Sequence, residues 1–416
     1  MSETVDSAMV PVAAGERIDV IDILRGLTLF GILTANMRGF NAPSQVYFNI
    51  GRMYAGTADS IAQGLIDFFI QGKCVTLFAF LFGLGFAVQM DRAAERGKSI
   101  SFYPRRLAIL LVIGLLHATL IWWGDILVPY ALLGFVLLLF RKANQKTIAW
   151  WAIGLFCSDF LISLGFGIWG IFHPSPPLPP RAVGLTPEMI HAISVYRDGS
   201  FLGMAQYRAP DWFQINFPPW WWITFVLPRF LVGLWVWRTG LLKNVDAYLP
   251  LIRKVGVWGL AIGLACETAM AYFTFMAPPP RGVFTVGGWL NRVAHDLSLP
   301  ALACFYACVV LLLVQNADWK RRLAPFGAVG RMALTNYLLQ SLICTYFFHW
   351  TKLYGKVGPA IGLIPTVVLF AVQIPVSVWW LHHYEFGPME WLWRSLTYGR
   401  FQPNRKQFPQ LSPATS

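Results

Sequence analysis

The chain has 416 residues, 56% of them apolar and only 13% charged. A soluble domain is nearer a quarter charged, so most of this surface must face something other than water. The net charge of +13 does not call for a nucleic-acid partner, because the basic residues fall in short clusters between apolar runs, which is how positive charge orients a membrane protein.

Residues 1–17 are polar, with neither the basic start nor the cleavable apolar core of a secretory signal. They are expected to be a disordered cytoplasmic N-terminus. A spanning helix needs about 20 mostly apolar residues. Such runs occur at 19–39, 74–90, 107–123, 126–140, 147–171, 220–238, 255–276, 297–315, 331–349 and 359–381. The stretch from Ile61 to Met90 is too long for one straight span, and Gly72-Lys73 divides it into an outer segment, 61–71, and a true span. With the N-terminus inside, the inner segments take most of the Lys and Arg, in clusters such as Arg92, Arg96, Lys98, Arg105 and Arg106, while short outer segments are poor in charge. The fold class is therefore all-α: a polytopic integral membrane bundle of about ten transmembrane helices, with both termini cytoplasmic.

The membrane domain covers 18–384, with one large outer loop, 173–219, that opens on a Pro-rich stretch and continues into a helix-compatible stretch near 186–207. Residues 385–416 form a cytoplasmic interfacial helix and tail, the helix bounded by Pro388 and Gly399. All six cysteines lie in apolar runs without metal spacing and read as reduced packing residues. No metal site is expected.

Ionisable groups at lipid depth cost several kcal/mol unless paired or hydrated. Asp22 and Arg25, three residues apart on the first helix, share a face near the cytoplasmic entrance; they are open between a neutral pair and a site where Arg25 receives donor phosphates. Gln63, Asp67 and Gln71 form a polar stripe before Lys73. His117 sits in the outer half of the third span and Asp125 at its outer mouth. On a continuous helix they would stand about 12 Å and about 80° apart, so they meet only if the chain turns at Gly124. Asp159, Arg229 and Glu267 fall mid-membrane in three successive spans, either as an intramembrane charge cluster that ties helices or as a proton relay. In the outer loop, Tyr196, Arg197 and Arg208 are candidates for contact with a substrate. Asn336 and Gln340 read as helix glue.

The stretches Asp22-Ile-Leu-Arg-Gly26 with Asn36, Gly72-Lys73 with Leu81-Phe-Gly-Leu-Gly85, His117 with Trp123-Gly-Asp-Ile-Leu127, Tyr196-Arg-Asp-Gly-Ser200, Gly330-Arg-Met-Ala-Leu-Thr-Asn-Tyr-Leu-Leu-Gln340 and Gly387-Pro-Met-Glu-Trp-Leu-Trp-Arg394 run in order across nearly the whole chain. Together they resemble the YeiB-like family of bacterial membrane proteins, the domain of unknown function 418. The opening helix is also similar to that of the heparan-α-glucosaminide acetyltransferase group and, more remotely, of the membrane acyltransferase-three group. Those enzymes pass an acyl group from a cytosolic thioester to a sugar across the membrane. They follow a first-helix Arg-Gly with Asn or His at the outer end, and Asn36 is similar to the Asn version.

The heparan enzymes place a catalytic histidine just after that Asn, whereas residues 37–60 here contain none. A shared fold does not confer a shared reaction. The resemblance then implies a transmembrane acyltransferase of the bacterial cytoplasmic (inner) membrane in which His117 is the base and Asp125 orients it. Asn36 or Lys73 would steady the oxyanion, and Asp22 and Arg25 would hold the donor. Acyl-CoA would be the co-substrate, with no bound cofactor, and the acceptor an envelope sugar or lipid. The rivals are a membrane transporter or proton-coupled exporter working through Asp159, Arg229 and Glu267, and a non-catalytic envelope scaffold. Oligomeric state is left open.

Overall fold

The computed structural model describes residues 19–47, 53–54, 56–95, 97, 102–173, 184–217, 219–276 and 284–406. The N-terminal segment 1–17, most of the Pro-rich stretch and the last residues of the tail lie outside the described residues. Among the described residues the regular structure is helical, with no strand beyond one isolated bridge between Tyr384 and Arg405.

The helices are α1 Asp19–Phe40, α2 Ser44–Tyr47, α3 Thr57–Phe69, α4 Lys73–Glu95, α5 Phe102–Leu116, α6 Leu127–Leu137, α7 Gln145–Phe172 and α8 Pro187–Asp198. They continue as α9 Phe201–Asn216, α10 Trp220–Arg238, α11 Leu249–Phe275, α12 Val286–Leu313, α13 Ala317–Arg331, α14 Ala333–Trp350, α15 Pro359–His383 and α16 Pro388–Tyr398. Among the described residues, eight helical segments are long and apolar enough to cross a bilayer: α1, α3–α4, α5, α7, α10, α11, α12 and α15. The remaining two expected runs, 126–140 and 331–349, are the short α6 and the more polar α14. This is an all-α polytopic membrane bundle. Helices suit that solvent because each satisfies its own backbone.

Small residues set the closest crossings, as is usual where helix packing has no hydrophobic drive of its own. A Cβ on Gly26 of α1 would overlap the Phe326 carbonyl of α13, and one on Gly330 would overlap the Asp22 carbonyl. Gly83 and Gly233 do the same between α4 and α10. The outward faces are greasy: Trp150, Leu161, Phe166 and Trp169 of α7 are all exposed, as lipid contact requires.

Several boundaries differ from the sequence reading for local reasons. Gly72 divides the long second run as expected, with φ +77° between α3 and α4. The outer stretch near 186–207 is two helices rather than one, because Ser200 caps the second by accepting from the Gly203 amide at 3.1 Å. The helix α12 starts at Val286, well before 297, with Thr285 as its cap. The inner loop before the ninth run is itself a helix, α13, capped by Asn316.

Candidate active site

Five of the six sequence stretches quoted above meet around one cavity of about 320 Å³. Its long walls are apolar: Phe78, Leu81 and Phe82 of α4, Leu107 and Leu110 of α5, and Tyr130 of α6. One end is polar and strongly basic, with Arg25, Arg106, Arg331 and Arg394 contributed by α1, α5, α13 and α16. The other end is closed by Ile126, Leu127 and Tyr337. Stepping inward along α5 from Arg106 to Leu110, two further helical turns reach His117.

There the backbone does something that a regular helix cannot. After Leu116 the helix widens into a π turn, His117–Ile121, in which the Trp122 amide donates to the His117 carbonyl at 2.9 Å. Trp122 is then extended, and the chain reverses through Gly124, where a Cβ would overlap the Trp122 ring. The reversal carries Asp125 back onto His117. Its Oδ1 lies 2.8 Å from His117 Nδ1, and both residues are buried, at 2% and 1% exposure. The other oxygen, Oδ2, accepts from the Val128 amide at 2.8 Å, at the start of α6.

With Asp125 ionised, Nδ1 donates to it, and the lone pair of His117 is on Nε2. That atom is buried without a hydrogen-bond partner. Beside it, Tyr337 brings its ring to 5.2 Å from the imidazole. The Tyr337 hydroxyl lies near Asp125 and the Ile126 amide but makes no hydrogen bond of regular geometry. His117 itself does not line the cavity, whereas Tyr337, Ile126 and Leu127 do, so the two unpartnered atoms lie at and just behind its wall.

The basic end is built by α16. Glu390 accepts from the Leu334 and Thr335 amides at 2.7 and 3.1 Å and from the Thr335 hydroxyl at 2.5 Å, so it caps α14 from outside. Burial raises its carboxyl above the ordinary range, and the Thr335 hydroxyl and these amides pull it back. Arg106 stacks on Trp393 at 3.5 Å, and the Trp393 indole donates to the Arg106 carbonyl at 2.8 Å. Arg25 pairs with Asp22 at 3.0 Å while also facing the cavity, so the two sequence readings of this pair are compatible.

Not every sequence candidate joins this site. Lys73 is directed elsewhere: its Nζ lies 2.5 Å from Glu267 Oε1 and donates to the Asp67 carbonyl at 2.6 Å. Asn36 is half-buried on α1, outside the walls of this cavity. The expected cluster of Asp159, Arg229 and Glu267 is split. Glu267 belongs to Lys73, and Asp159 pairs with Arg292 at 2.8 Å, because the early start of α12 puts the exposed Arg292 on that helix, alongside α7. Arg229 donates to Thr76 Oγ1 at 2.9 Å and to the Phe225 carbonyl. It shares a small cavity of about 30 Å³ with Asp159, Arg292 and Asp296. The three mid-membrane charges thus do not form one cluster: Glu267 lies with Lys73, while Asp159 and Arg229 share a cavity with Arg292 and Asp296.

In the outer loop, Tyr196 is buried and stacks on Tyr354 with ring centroids 5.2 Å apart, while Arg197 pairs with its neighbour Asp198 at 2.9 Å. Arg208 is buried beneath α9, where its Nη1 donates to the Thr119 carbonyl at 3.3 Å. Tyr346 of α14 donates to the next carbonyl, Leu120, at 2.8 Å. A π turn leaves carbonyls without intrahelical partners, and these two donors supply them; the cation also suits the negative end of α5. Arg208→Met should lower the unfolding midpoint, at a cost of about 1–3 kcal/mol for the orphaned carbonyl. It should also make His117 more reactive to diethyl pyrocarbonate, and unchanged reactivity would detach Arg208 from the dyad.

Tyr337, Arg106, Arg331 and Arg394 escaped the sequence reading as site residues. The signal was present, because Arg331, Tyr337 and Arg394 sit inside the two longest quoted stretches.

Comparison with known proteins fits this distribution. Residues 236–400 match the family model described as "Protein of unknown function (DUF418)". The chain is 36% identical to the uncharacterized protein YxaH of Bacillus subtilis (strain 168), over 96% of this chain and 99% of that protein. It is 30% identical to the uncharacterized protein YeiB of Escherichia coli (strain K12), over 92% and 96% respectively. A 39.9 kDa protein of Bacillus acidopullulyticus is 29% identical over 95% of this chain. With likeness this deep over more than nine-tenths of its length, the chain is a bacterial membrane protein that belongs to the DUF418 family of YeiB and YxaH.

Proposed function

We propose that the protein is a transmembrane acyltransferase of the bacterial inner membrane. It would take an acyl group from a cytosolic thioester, with acyl-CoA as co-substrate, and pass it to an envelope sugar or lipid at the outer side. The observation that carries this reading is the buried His117–Asp125 pair, with its open Nε2 behind the closed end of a cavity whose far end is basic.

In the reaction, an acceptor hydroxyl or amine gives its proton to His117 Nε2 as its heteroatom attacks the thioester carbonyl carbon. Asp125 stabilises the imidazolium that forms. The Tyr337 hydroxyl, unpartnered and on the ring beside His117, would donate to the oxyanion in place of Lys73, which is paired with Glu267, and of Asn36, which lies outside the cavity wall. When the tetrahedral intermediate collapses, the carbon–sulfur bond breaks and the imidazolium returns its proton to the departing thiolate.

Purified protein in detergent, given radiolabelled acetyl-CoA and candidate sugars, should transfer or hydrolyse the acyl group. His117→Ala should slow this about 10²- to 10⁴-fold, the usual worth of a general base. Absence of both activities, or activity indifferent to His117→Ala, would sink the reading.

A further inference from the structure

Four guanidinium groups converge on the basic end of the cavity from four different helices, beside two carboxylates, Asp22 and Glu390. Arg25 spends one nitrogen, Nη1, on Asp22. Its Nη2 lies against Gly85, where a Cβ would approach to 3.0 Å, so the absent side chain leaves that nitrogen room in the wall. Glu390, the acid that lines this end, already accepts three hydrogen bonds from the start of α14. Arg106 has both Arg25 and Arg394 as like-charged neighbours. Its face is stacked on Trp393, which leaves the in-plane N–H edge of the guanidinium for a planar or tetrahedral anion. Arg331 and Arg394 keep further contacts within the protein and still add two positive charges to the same wall.

Like charges held together in a partly enclosed space repel strongly, and a bound polyanion relieves that repulsion. The adjoining wall is the opposite in character: Phe78, Phe82, Leu107, Leu110 and Tyr130 form an apolar corridor that ends beside Tyr337. We infer that this cavity is a binding site for an anionic amphiphile, a ligand with two or more phosphates clasped by Arg25, Arg106, Arg331 and Arg394 and a flexible, largely apolar arm in the corridor. The site deepens the acyl-transfer reading and rests on it only for what the end of the arm carries. Binding itself needs no chemistry at His117.

The α16 helix forms one side of this clasp. It contributes Arg394, the Trp393 platform and the Glu390 cap in one stretch of five residues, Glu390-Trp-Leu-Trp-Arg394. Besides capping α14, the quoted stretch Gly387–Arg394 would thus close the ligand's head against α5 and α14.

Such a head could belong to a soluble nucleotide thioester carrier or to a phosphorylated membrane lipid. The test uses the full chain in neutral phosphatidylcholine nanodiscs. In one arm, CoA is titrated by calorimetry; in the other, phosphatidic acid is added to the nanodiscs and retained lipid is read by native mass spectrometry. We expect CoA to bind. Affinity should fall at least about tenfold for Arg106→Gln and for Arg394→Gln, each of which removes one charge-assisted phosphate contact. Arg106→Lys, which keeps the charge and loses the fork, should fall between them and the wild type. Arg322→Gln, on the exposed side of α13, should bind normally, and so should His117→Ala. Retention of phosphatidic acid that the same arginine variants abolish, without CoA binding, would support the site and assign its ligand to the membrane. If neither probe binds, or if binding is indifferent to Arg106 and Arg394 in variants that fold, the inference is wrong. Arginine-dependent binding without any turnover would overturn the acyl-transfer reading and leave the site standing.

Discussion

Asp125→Asn should lower turnover by about 10⁴-fold, more than most substitutions that leave the fold intact. The reason lies in what each carboxylate oxygen does. In the native site Oδ1 accepts from His117 Nδ1 at 2.8 Å and Oδ2 accepts from the Val128 amide at 2.8 Å. An Asn at this position has a single acceptor oxygen, which the Val128 amide would claim, because a buried backbone donor left alone costs about 1–3 kcal/mol. The Asn amino group would then face Nδ1, and a donor there forces the imidazole to carry its proton on Nε2. The base would be present, correctly placed and already protonated. Binding of CoA should be unchanged, so the loss would appear in kcat and not in KM. Full activity in Asp125→Asn, measured as thioester hydrolysis or transfer, would remove His117 from the chemistry.

The pairing of His117 with Asp125 also marks the limit of what the sequence discloses. Periodicity of 3.6 places the two residues about 80° apart, and only a turn at Gly124 could reconcile them. The π turn at His117–Ile121 begins that reversal earlier than Gly124, and no residue pattern announces a single π turn. Hydrophobic runs and basic clusters located most spans because lipid imposes those constraints along the chain itself. Gly72 and Gly399 were legible for the same local reason, since both take positive φ.

Partners distant in sequence were not legible. Lys73 looked free to serve the outer mouth, yet its partner Glu267 comes from α11. Asp159 looked committed to Arg229 because Arg292 lies before the expected start of the eighth run at 297, whereas α12 begins at Val286. The cavity, too, is a product of tertiary packing. Arg106 appeared only as one charge in a basic cluster, and nothing local distinguished it from Arg105, although Arg106 lines the cavity and Arg105 does not.

The largest expected effect on stability belongs to Lys73 and Glu267. Both side chains are almost wholly buried, at 2% and 3% exposure, and their 2.5 Å contact joins α4 to α11. Removing one partner strands the other charge in a medium that cannot solvate it, so Glu267→Gln should destabilise the bundle by about 3–5 kcal/mol. In lipid or detergent that would be read as a fall in the unfolding midpoint at fixed scan rate, because such unfolding is commonly governed by a rate. The double variant Lys73→Met, Glu267→Leu removes both charges and keeps most of the volume. It should recover most of the lost stability, since well-packed apolar replacements of buried ion pairs are often neutral. The same pair of variants separates a tie between helices from a proton pathway. A tie needs only packing, so the double variant should keep whatever thioester hydrolysis or transfer the native chain performs. A pathway needs a titrating group, and a double variant as stable as the native chain but without function would return Glu267 to the working site.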